Sequence, residues 1–278
     1  MPDRIAYLPL DAQNDSATDP AILAAVAVGS AFGCKLHVTN FAVDVPPVAS
    51  PLGGFLINIE GMARVAEERA QAECQRRKAV IEAAPTADRV AAVTIRTIAM
   101  GGVMGAAAIE ARQFDLSLVP VPADSTGPQD MAQALVFDSG LPVILVPETA
   151  KVAALDHVAV AWDGSRVAAR ALNDALHLLA PGGRVTVLTV HGEKALARED
   201  LAGDLAATLR LRGYDAKATN IAHEGRPIGE ALQCGAMEAG AGLLAMGGFG
   251  HSRFRDFVLG GATLGILSHL RMPVLLSH

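Results

Sequence analysis

Four glycines near the end of the chain are spaced as in a loop that holds an anion. They follow a short apolar run ending at Met246, and they are Gly247, Gly250, Gly260 and Gly261. The first two would let the backbone approach a phosphate or a ribose, because glycine has no Cβ. The last two precede an apolar helical segment, whose free N–H groups and positive dipole end favour an anion. The pattern GxxG(x9)GG therefore predicts a phosphate-binding loop, with simple chain turning as the alternative role of these glycines.

Polar side chains inside this loop suggest two further roles. His251, Arg253 and Arg255 would meet phosphates there, or they would form an ordinary solvated face. The run GHSRF imitates the turn that holds a nucleophilic serine, but Phe254 replaces the last glycine and no strand immediately precedes Ser252. We therefore expect no serine hydrolase.

Other common catalytic motifs are missing from the sequence. No GxxxxGK[ST] occurs and no GxGxxG follows the first strand of either half, which excludes a P-loop and the usual dinucleotide fingerprint. The eight histidines show no HExxH or paired spacing, so we expect no metal site. No acid and base pair is evident near the glycine loop, so no catalytic residue and no enzyme activity are predicted.

Composition and charge narrow the class of protein. The 278 residues, 51% of them hydrophobic, suit about two packed domains. A net charge of −6 and eleven aromatic residues provide neither a footprint for a phosphate backbone nor stacking platforms, so nucleic acid is not an expected partner. The charge-free runs 20–34 and 45–59 are shorter than the ~18 residues that span a membrane, and the first residues lack a signal-peptide pattern. We expect a cytoplasmic protein with Cys34, Cys74 and Cys234 as reduced thiols.

The glycine loop belongs to the second of two similar strings of strands and helices. Short β-branched runs alternate with longer amphipathic runs, which is typical of βαβ units and a parallel sheet. In the second string, strands are predicted at 157–162, 184–190, 215–222, 242–246 and 273–277, and helices at 165–179, 196–211, 227–239 and 261–270.

The first string repeats this order. The closing runs LPVILV and MPVLLS match most visibly, so we infer a duplication with domains at 1–150 and 151–278. Residues 42–58 are too rich in Pro and Gly for regular structure, and we interpret them as a lid or an interface arm. In the first string, strands are predicted at 4–10, 35–41, 92–98, 115–120 and 142–146, and helices at 18–32, 59–83, 102–112 and 128–138.

The predicted fold class is therefore α/β, with two tandem open parallel-sheet domains of Rossmann-like type and five strands each. Such sheets bind ligands outside the carboxyl ends of their strands, near the point where the strand order reverses. The glycine loop follows the fourth strand of the second domain, so it is expected at that edge.

The glycine segment resembles the ATP-binding members of the universal stress protein family, which carry G-x2-G-x9-G-[S/T] between the fourth strand and the last helix. The resemblance covers both halves and implies a tandem member with an adenine nucleotide α-hydrolase-like fold. It implies that Asp163 and Val190 flank an adenosine, although Asp163 could instead only cap the helix that begins near Ser165. It also implies a nucleotide-binding segment comprising Met246, Gly247, Gly250, His251, Gly260, Gly261, Ala262 and Thr263.

One departure from the family pattern lies in the second half. Gly261 stands where the family has Ser or Thr, so one hydroxyl donor is lost, although Thr263 offers a hydroxyl nearby. The loss of one hydrogen bond to a charged group weakens binding by about 1.5 to 3 kcal/mol.

The first half departs further. Asp11 keeps the place of Asp163, but alignment puts three non-glycine residues opposite the glycines: Pro120, Ala123 and Gln129. Proline offers no N–H donor and side chains obstruct close approach. We predict a degenerate first copy that binds no nucleotide.

The resemblance implies a regulatory protein that holds ATP or a related adenine nucleotide, alone or with Mg²⁺, in its second domain and responds to stress. The alternatives are a nucleotide-free interaction module and a slow ATP hydrolase. Family members pair through their last strands, so the apolar runs 143–146 and 274–276 are expected to pair within the chain. A further homodimer is an additional possibility.

Overall fold

A single ten-stranded sheet runs through the computed structural model, which describes residues 3–12, 17–45, 59–123, 128–151, 153–191, 200–222, 225–248, 265–266 and 269–278. The strands are β1 (Arg4–Asp11), β2 (Cys34–Asp44), β3 (Val90–Ala99), β4 (Leu116–Val121), β5 (Val143–Pro147), β6 (His157–Ala161), β7 (Arg184–His191), β8 (Asp215–Ala222), β9 (Leu243–Gly247) and β10 (Val274–Ser277). The helices are α1 (Asp19–Ala31), α2 (Ile59–Glu82), α3 (Val103–Ala111), α4 (Pro128–Asp138), α5 (Arg166–Leu178), α6 (Leu201–Leu211) and α7 (Ile228–Glu238).

The strand order shows two similar halves joined at their last strands. The order is β3-β2-β1-β4-β5-β10-β9-β6-β7-β8. Neighbouring strands are parallel within each half, whereas β5 and β10 are antiparallel, with Ile144 opposite Leu275. The strand order therefore reverses between β1 and β4 in the first half, and between β6 and β9 in the second.

Two apolar layers, one on each face of the sheet, hold the helices. One layer packs α1, α2, α5 and α6 through side chains such as Ile22, Ile81 and Leu172. The other packs α3, α4 and α7, with Leu135 and Leu232 among its members. The central strands are nearly continuous apolar runs because helices cover both of their faces. The α/β class with five parallel strands in each half is confirmed.

Equivalent hydroxyls begin the first helix of each half. Thr18 Oγ1 accepts a hydrogen bond from the Ala21 N–H at 3.3 Å, and Ser165 Oγ accepts one from the Ala168 N–H at 3.2 Å. Each bond satisfies one of the N–H groups that a helix start leaves without an intrahelical partner. The cap predicted at Ser165 is therefore present.

Several predicted boundaries are wrong. Residues 42–44 belong to β2 rather than to an irregular insertion, whose positions 46–58 lie outside the described residues. The helix predicted at 196–211 is interrupted at Asp200, whose non-helical backbone and carboxylate bond from the Gly203 N–H cap α6 at Leu201. Predicted positions 196–199 lie outside the described residues. Pro227 is likewise the extended cap of α7 and not its first helical residue.

The helix predicted at 261–270 can be checked at only a few positions. Residues 265–266 are helical, whereas 269 and 270 are not, so the predicted helix extends too far. The His269 N–H donates to the Ile266 carbonyl at 3.2 Å, and predicted positions 261–264, 267 and 268 lie outside the described residues. Within the described ranges, no helix combines the length and apolar character that crossing a membrane requires.

Candidate functional site

The carboxyl ends of β6, β7 and β9 lie side by side in the second half. Val160 in β6 is opposite Ala245 in β9, and Ala161 is opposite Leu188 in β7. The Trp162 N–H extends the β6 pairing by donating to the Leu188 carbonyl at 2.8 Å. Because the strand order reverses between β6 and β9, this edge is where an open parallel sheet presents a ligand crevice.

Asp163 is exposed in the turn that joins β6 to α5. Its Oδ1 accepts a hydrogen bond from the Ser165 N–H at 2.9 Å. Gly164 between them has a φ of +74°, a left-handed conformation that glycine adopts without steric cost. Ser165, and not Asp163, is thus the cap of α5, and one carboxylate oxygen of Asp163 stabilises the turn before that helix.

Gly247 is the last residue of β9, where it pairs with Ser277, and not the first residue of a loop. A Cβ on Gly247 would lie 2.5 Å from Val167 Cγ2 and 2.9 Å from the Val167 carbonyl carbon. Contacts this short do not occur in folded proteins, so a side chain here would force β9 and α5 apart. The glycine therefore has a packing role, which brings the positive N-terminal end of α5 against the end of β9.

Val190 lies near the end of β7, opposite Ile221 of β8, and is half-buried. Beside it, Thr189 is buried and its Oγ1 donates to the Trp162 carbonyl at 2.9 Å, which fixes the end of β6 to β7. Trp162 is the only tryptophan of the sequence, and it is half-buried next to Asp163. Sequence analysis missed Thr189 and Trp162, although their places at predicted strand ends were the available signal.

Of the remaining predicted site residues, only Met246 lies within the described part of the chain. The Met246 side chain is 4% exposed and lies in the core, so it is not available to a ligand. Gly265, past the glycine segment, lies near the start of α7, since a Cβ there would be 3.7 Å from Pro227 Cβ. The others lie outside the described residues: Gly250, His251, Gly260, Gly261, Ala262 and Thr263.

The same edge of the first half is built differently. Asp11 is only 6% exposed and lies inside β1, paired with Phe41, which is itself fully buried. Pro120 pairs with Val146, as Gly247 pairs with Ser277, so proline replaces the first glycine at the equivalent place of the sheet.

A buried arginine from α2 closes that edge. Arg77 is 2% exposed and donates to the Asp11 carbonyl at 2.9 Å and to the Ala17 carbonyl at 3.5 Å. It also donates to Glu73 Oε1 at 2.8 Å. Hydrogen bonds from Arg76 and Arg77 lower the pKa of Glu73 to about 2, so this carboxylate stays charged near neutral pH. Arg77 therefore links α2 to Asp11 and Ala17, described residues on either side of positions 13–16.

The described residues show no metal centre. Among the described side chains, no group of three or more His, Cys, Asp or Glu is placed to hold a metal ion. Cys34 and Cys74 are buried and free, and burial raises the pKa of each thiol to about 11. Both thiols are consequently protonated and unreactive near neutral pH.

Comparisons with known proteins find a family match in the second half of the chain. The model of the universal stress protein family matches residues 154–278. A universal stress protein from Archaeoglobus fulgidus DSM 4304 has the same fold, with a TM-score of 0.63, 17% identity and coverage of 98% of this chain and 97% of its own. A protein from the universal stress protein family from Burkholderia pseudomallei is 25% identical, with a TM-score of 0.33 and coverage of 44% of this chain and 95% of its own.

A search of curated proteins found no match. The family match falls on the half that carries the glycine segment, and the archaeal structure covers both halves. The second half of the chain, residues 154–278, therefore matches the universal stress protein family, and the fold of the whole chain is similar to that of the archaeal protein.

Proposed function

We propose that the second half binds an adenine nucleotide, ATP or a related molecule, at the carboxyl ends of β6, β7 and β9. The observation that carries the proposal is that the Asp163 turn, Val190 and Gly247 lie at one edge of the sheet, where the strand order reverses and open parallel sheets bind ligands. Val190 offers an apolar surface to a base, and the exposed Asp163 offers an acceptor to a ribose hydroxyl. The N-terminal end of α5 beside Gly247 adds a positive dipole for phosphates. Where ATP carries Mg²⁺, the ion would enter as part of the nucleotide.

We propose a regulatory role in a stress response rather than catalysis. Of the polar groups at the described edge, Asp163 already accepts the Ser165 N–H, and Thr189 donates to the Trp162 carbonyl. These groups hold the backbone in place, which suits binding without proton transfer. Sustained phosphate release by pure protein, abolished by Asp163→Ala, would contradict this proposal and favour the slow ATP hydrolase.

The first experiment releases bound nucleotide from freshly purified protein by heat and identifies it by chromatography and absorbance. We expect about one adenine nucleotide per chain. Gly250→Val is the control variant, because a side chain in the glycine pattern would obstruct a phosphate. Gly247→Val is unsuitable, since its clash with Val167 would disturb the fold whether or not a ligand binds.

A second readout comes from Trp162, one residue before Asp163. ATP added to nucleotide-free protein should change the emission of Trp162 with saturation at one site, and Gly250→Val should abolish the change. The half-buried indole is the only tryptophan, so the signal reports this edge without labelling. No released nucleotide and no response to millimolar ATP would overturn the proposal.

That negative result would favour the nucleotide-free interaction module. The observation behind this alternative is Gly261, which removes the hydroxyl that the family pattern supplies. The search would then turn to protein partners, including a second copy of the chain. Light scattering would measure such a homodimer, which would have to form at surfaces other than β5 and β10, since these strands already pair with each other.

A further inference from the structure

We infer that α4 of the first half positions the Gly247–Gly248 segment of the second half, and so sets the affinity of the nucleotide site. The inference rests on the proposed nucleotide binding. It assigns the first half a role at the site of the second half, although the first half is predicted to bind no nucleotide itself.

The contact begins at Gly248, which is buried where the chain leaves β9. A Cβ built on Gly248 would lie 3.4 Å from Val136 Cγ1 of α4 and 3.5 Å from Leu276 Cβ of β10. The Gly248 N–H donates to the Ser277 carbonyl at 2.8 Å. The first residue after β9 is therefore enclosed by β10 on one side and by a helix of the other half on the other.

His278 connects the same residue to α4 a second time. Its Nδ1–H donates to the Gly248 carbonyl at 3.2 Å, and its ring packs edge-on against Phe137 of α4 with 5.0 Å between ring centroids. The aromatic contact limits the positions of the imidazole, which in turn holds the Gly248 carbonyl. The Phe137 side chain is 43% exposed, so packing in the apolar core does not by itself explain why a phenylalanine lies against His278.

A separate bridge connects the first half to α5, the helix that packs on Gly247. Arg170 of α5 reaches the Gly140 carbonyl just past α4 at 3.5 Å, and it donates to Asp174 at 2.9 Å. Asp174 also accepts the Ser277 hydroxyl at 2.8 Å. Both flanks of the Gly247–Gly248 segment therefore contact structure that the first half holds.

A backbone segment fixed in this way is organised before the ligand arrives, which reduces the entropy lost on binding. Phe137 and His278 act as positioning residues, since their contacts run through the Gly248 backbone. Their substitution should change the affinity for the nucleotide at temperatures well below that at which the protein unfolds.

The test measures ATP affinity of the full chain by calorimetry and by Trp162 emission at 25 °C. Phe137→Ala and His278→Ala should each weaken binding about fivefold, the equivalent of one modest hydrogen bond. Phe137→Tyr keeps the ring and His278→Gln keeps a donor, so both should bind within about twofold of wild type. The matched control is Ile109→Ala on α3, another exposed apolar side chain of the first half, and it should leave affinity unchanged.

A double variant separates positioning from general weakening. If Phe137 acts through His278, Phe137→Ala/His278→Ala should bind ATP about as weakly as the weaker single variant. If the wild-type protein binds ATP and both alanine variants bind it with the same affinity, this inference is overturned and the proposed function is left intact. Absence of ATP binding by wild type would overturn the proposed function and this inference together.

Discussion

At the carboxyl edge of the sheet, β1 and β6 end in different surroundings. Asp11 at the end of β1 is buried, and Arg77 from α2 donates to its carbonyl. The equivalent Asp163 lies two residues past β6 in an exposed position, and its Oδ1 accepts the nearby Ser165 N–H. One fold repeated in a single chain thus has a closed edge in the first half and an accessible edge in the second.

This difference shows which parts of a repeated fold are shared. Both halves have the same strand order, the same reversal point and a capped first helix. They differ in the side chains that fill the space beyond the strand ends. Phe41 occupies the register position of Val190 and is fully buried, whereas Val190 is half-buried. The framework is therefore compatible with two uses, a ligand crevice or added internal packing.

The largest effect that tests this comparison is expected at Arg77. Arg77→Ala should lower the free energy of unfolding by about 3 kcal/mol, because it removes the Arg77 donor from two buried carbonyls and one of the two arginines that bond Glu73. Urea denaturation measures the change. Arg76→Ala is the matched control: its side chain is 47% exposed and its ion pairs are worth about 1 kcal/mol or less. Equal costs for the two variants would show that α2 does not close the first edge.

The next largest effect is expected in the second half, at Gly247. Gly247→Ala should cost about 2 kcal/mol, since its Cβ would overlap Val167 Cγ2 at 2.5 Å. Adding Val167→Ala should restore part of the loss, because it removes the nearest methyl groups. Gly248→Ala, whose Cβ would meet its first neighbour at 3.4 Å, is the control and should cost less than half as much. A Gly247→Ala protein as stable as wild type would contradict the packing role.

The order and nature of the elements could be predicted from the sequence. β-branched runs and helical periodicity are local signals, and they placed β8 at 215–222 and α4 at 128–138, as observed. The predicted start of α6 was wrong because Asp200 caps that helix through one side-chain hydrogen bond, which the apolar pattern does not reveal. Boundaries set by a single capping bond are therefore the least predictable part of the fold.

The candidate site was less predictable than the fold. Strand ends predicted that Asp163, Val190 and Gly247 would share one edge, and they do. The contacts that give this edge its shape join residues far apart in the sequence, as Gly247 meets Val167 and Gly248 meets Val136. Arg77 and Asp11 in the first half are separated by 66 positions. Such contacts depend on tertiary packing, and no local sequence motif predicts them.

The helix caps allow a finer test of the comparison. Thr18→Ala and Ser165→Ala should each cost about 1 kcal/mol of stability, measured by thermal or urea unfolding. Their effects on ATP affinity should differ, because Ser165 belongs to the turn shaped by Asp163 and Thr18 lies in the closed half. We expect weaker ATP binding for Ser165→Ala alone. Comparable losses of affinity in both variants would show that the first edge also influences the ligand.

The smallest effect concerns acid, which should act on the two halves at different pH. His157 begins β6, is 4% exposed and shares a 2.8 Å hydrogen bond between Nε2 and Thr186. Burial, with Arg184 nearby, lowers the pKa of this imidazole below its ordinary value. The unfolded chain therefore takes up a proton near pH 6.5 that the folded chain resists, so the stability of the second half should fall as the pH drops below about 6.5.

In the first half, Glu73 should cause a loss of stability at a lower pH than His157 does in the second half. Its pKa of about 2 in the folded state lies below the ordinary value of 4.5, so the unfolded chain binds its proton first as the pH falls. The stabilisation from Glu73 is complete above pH 4.5 and is lost progressively between pH 4.5 and 2.

Amide exchange measured at pH 7.5, 5.5 and 4 should show β6 and β7 losing protection before β1. His157→Gln should remove the step near pH 6.5, and Glu73→Gln should remove the acidic one. Loss of protection in β1 before β6 and β7 would contradict the prediction that the first half is the more acid-resistant of the two.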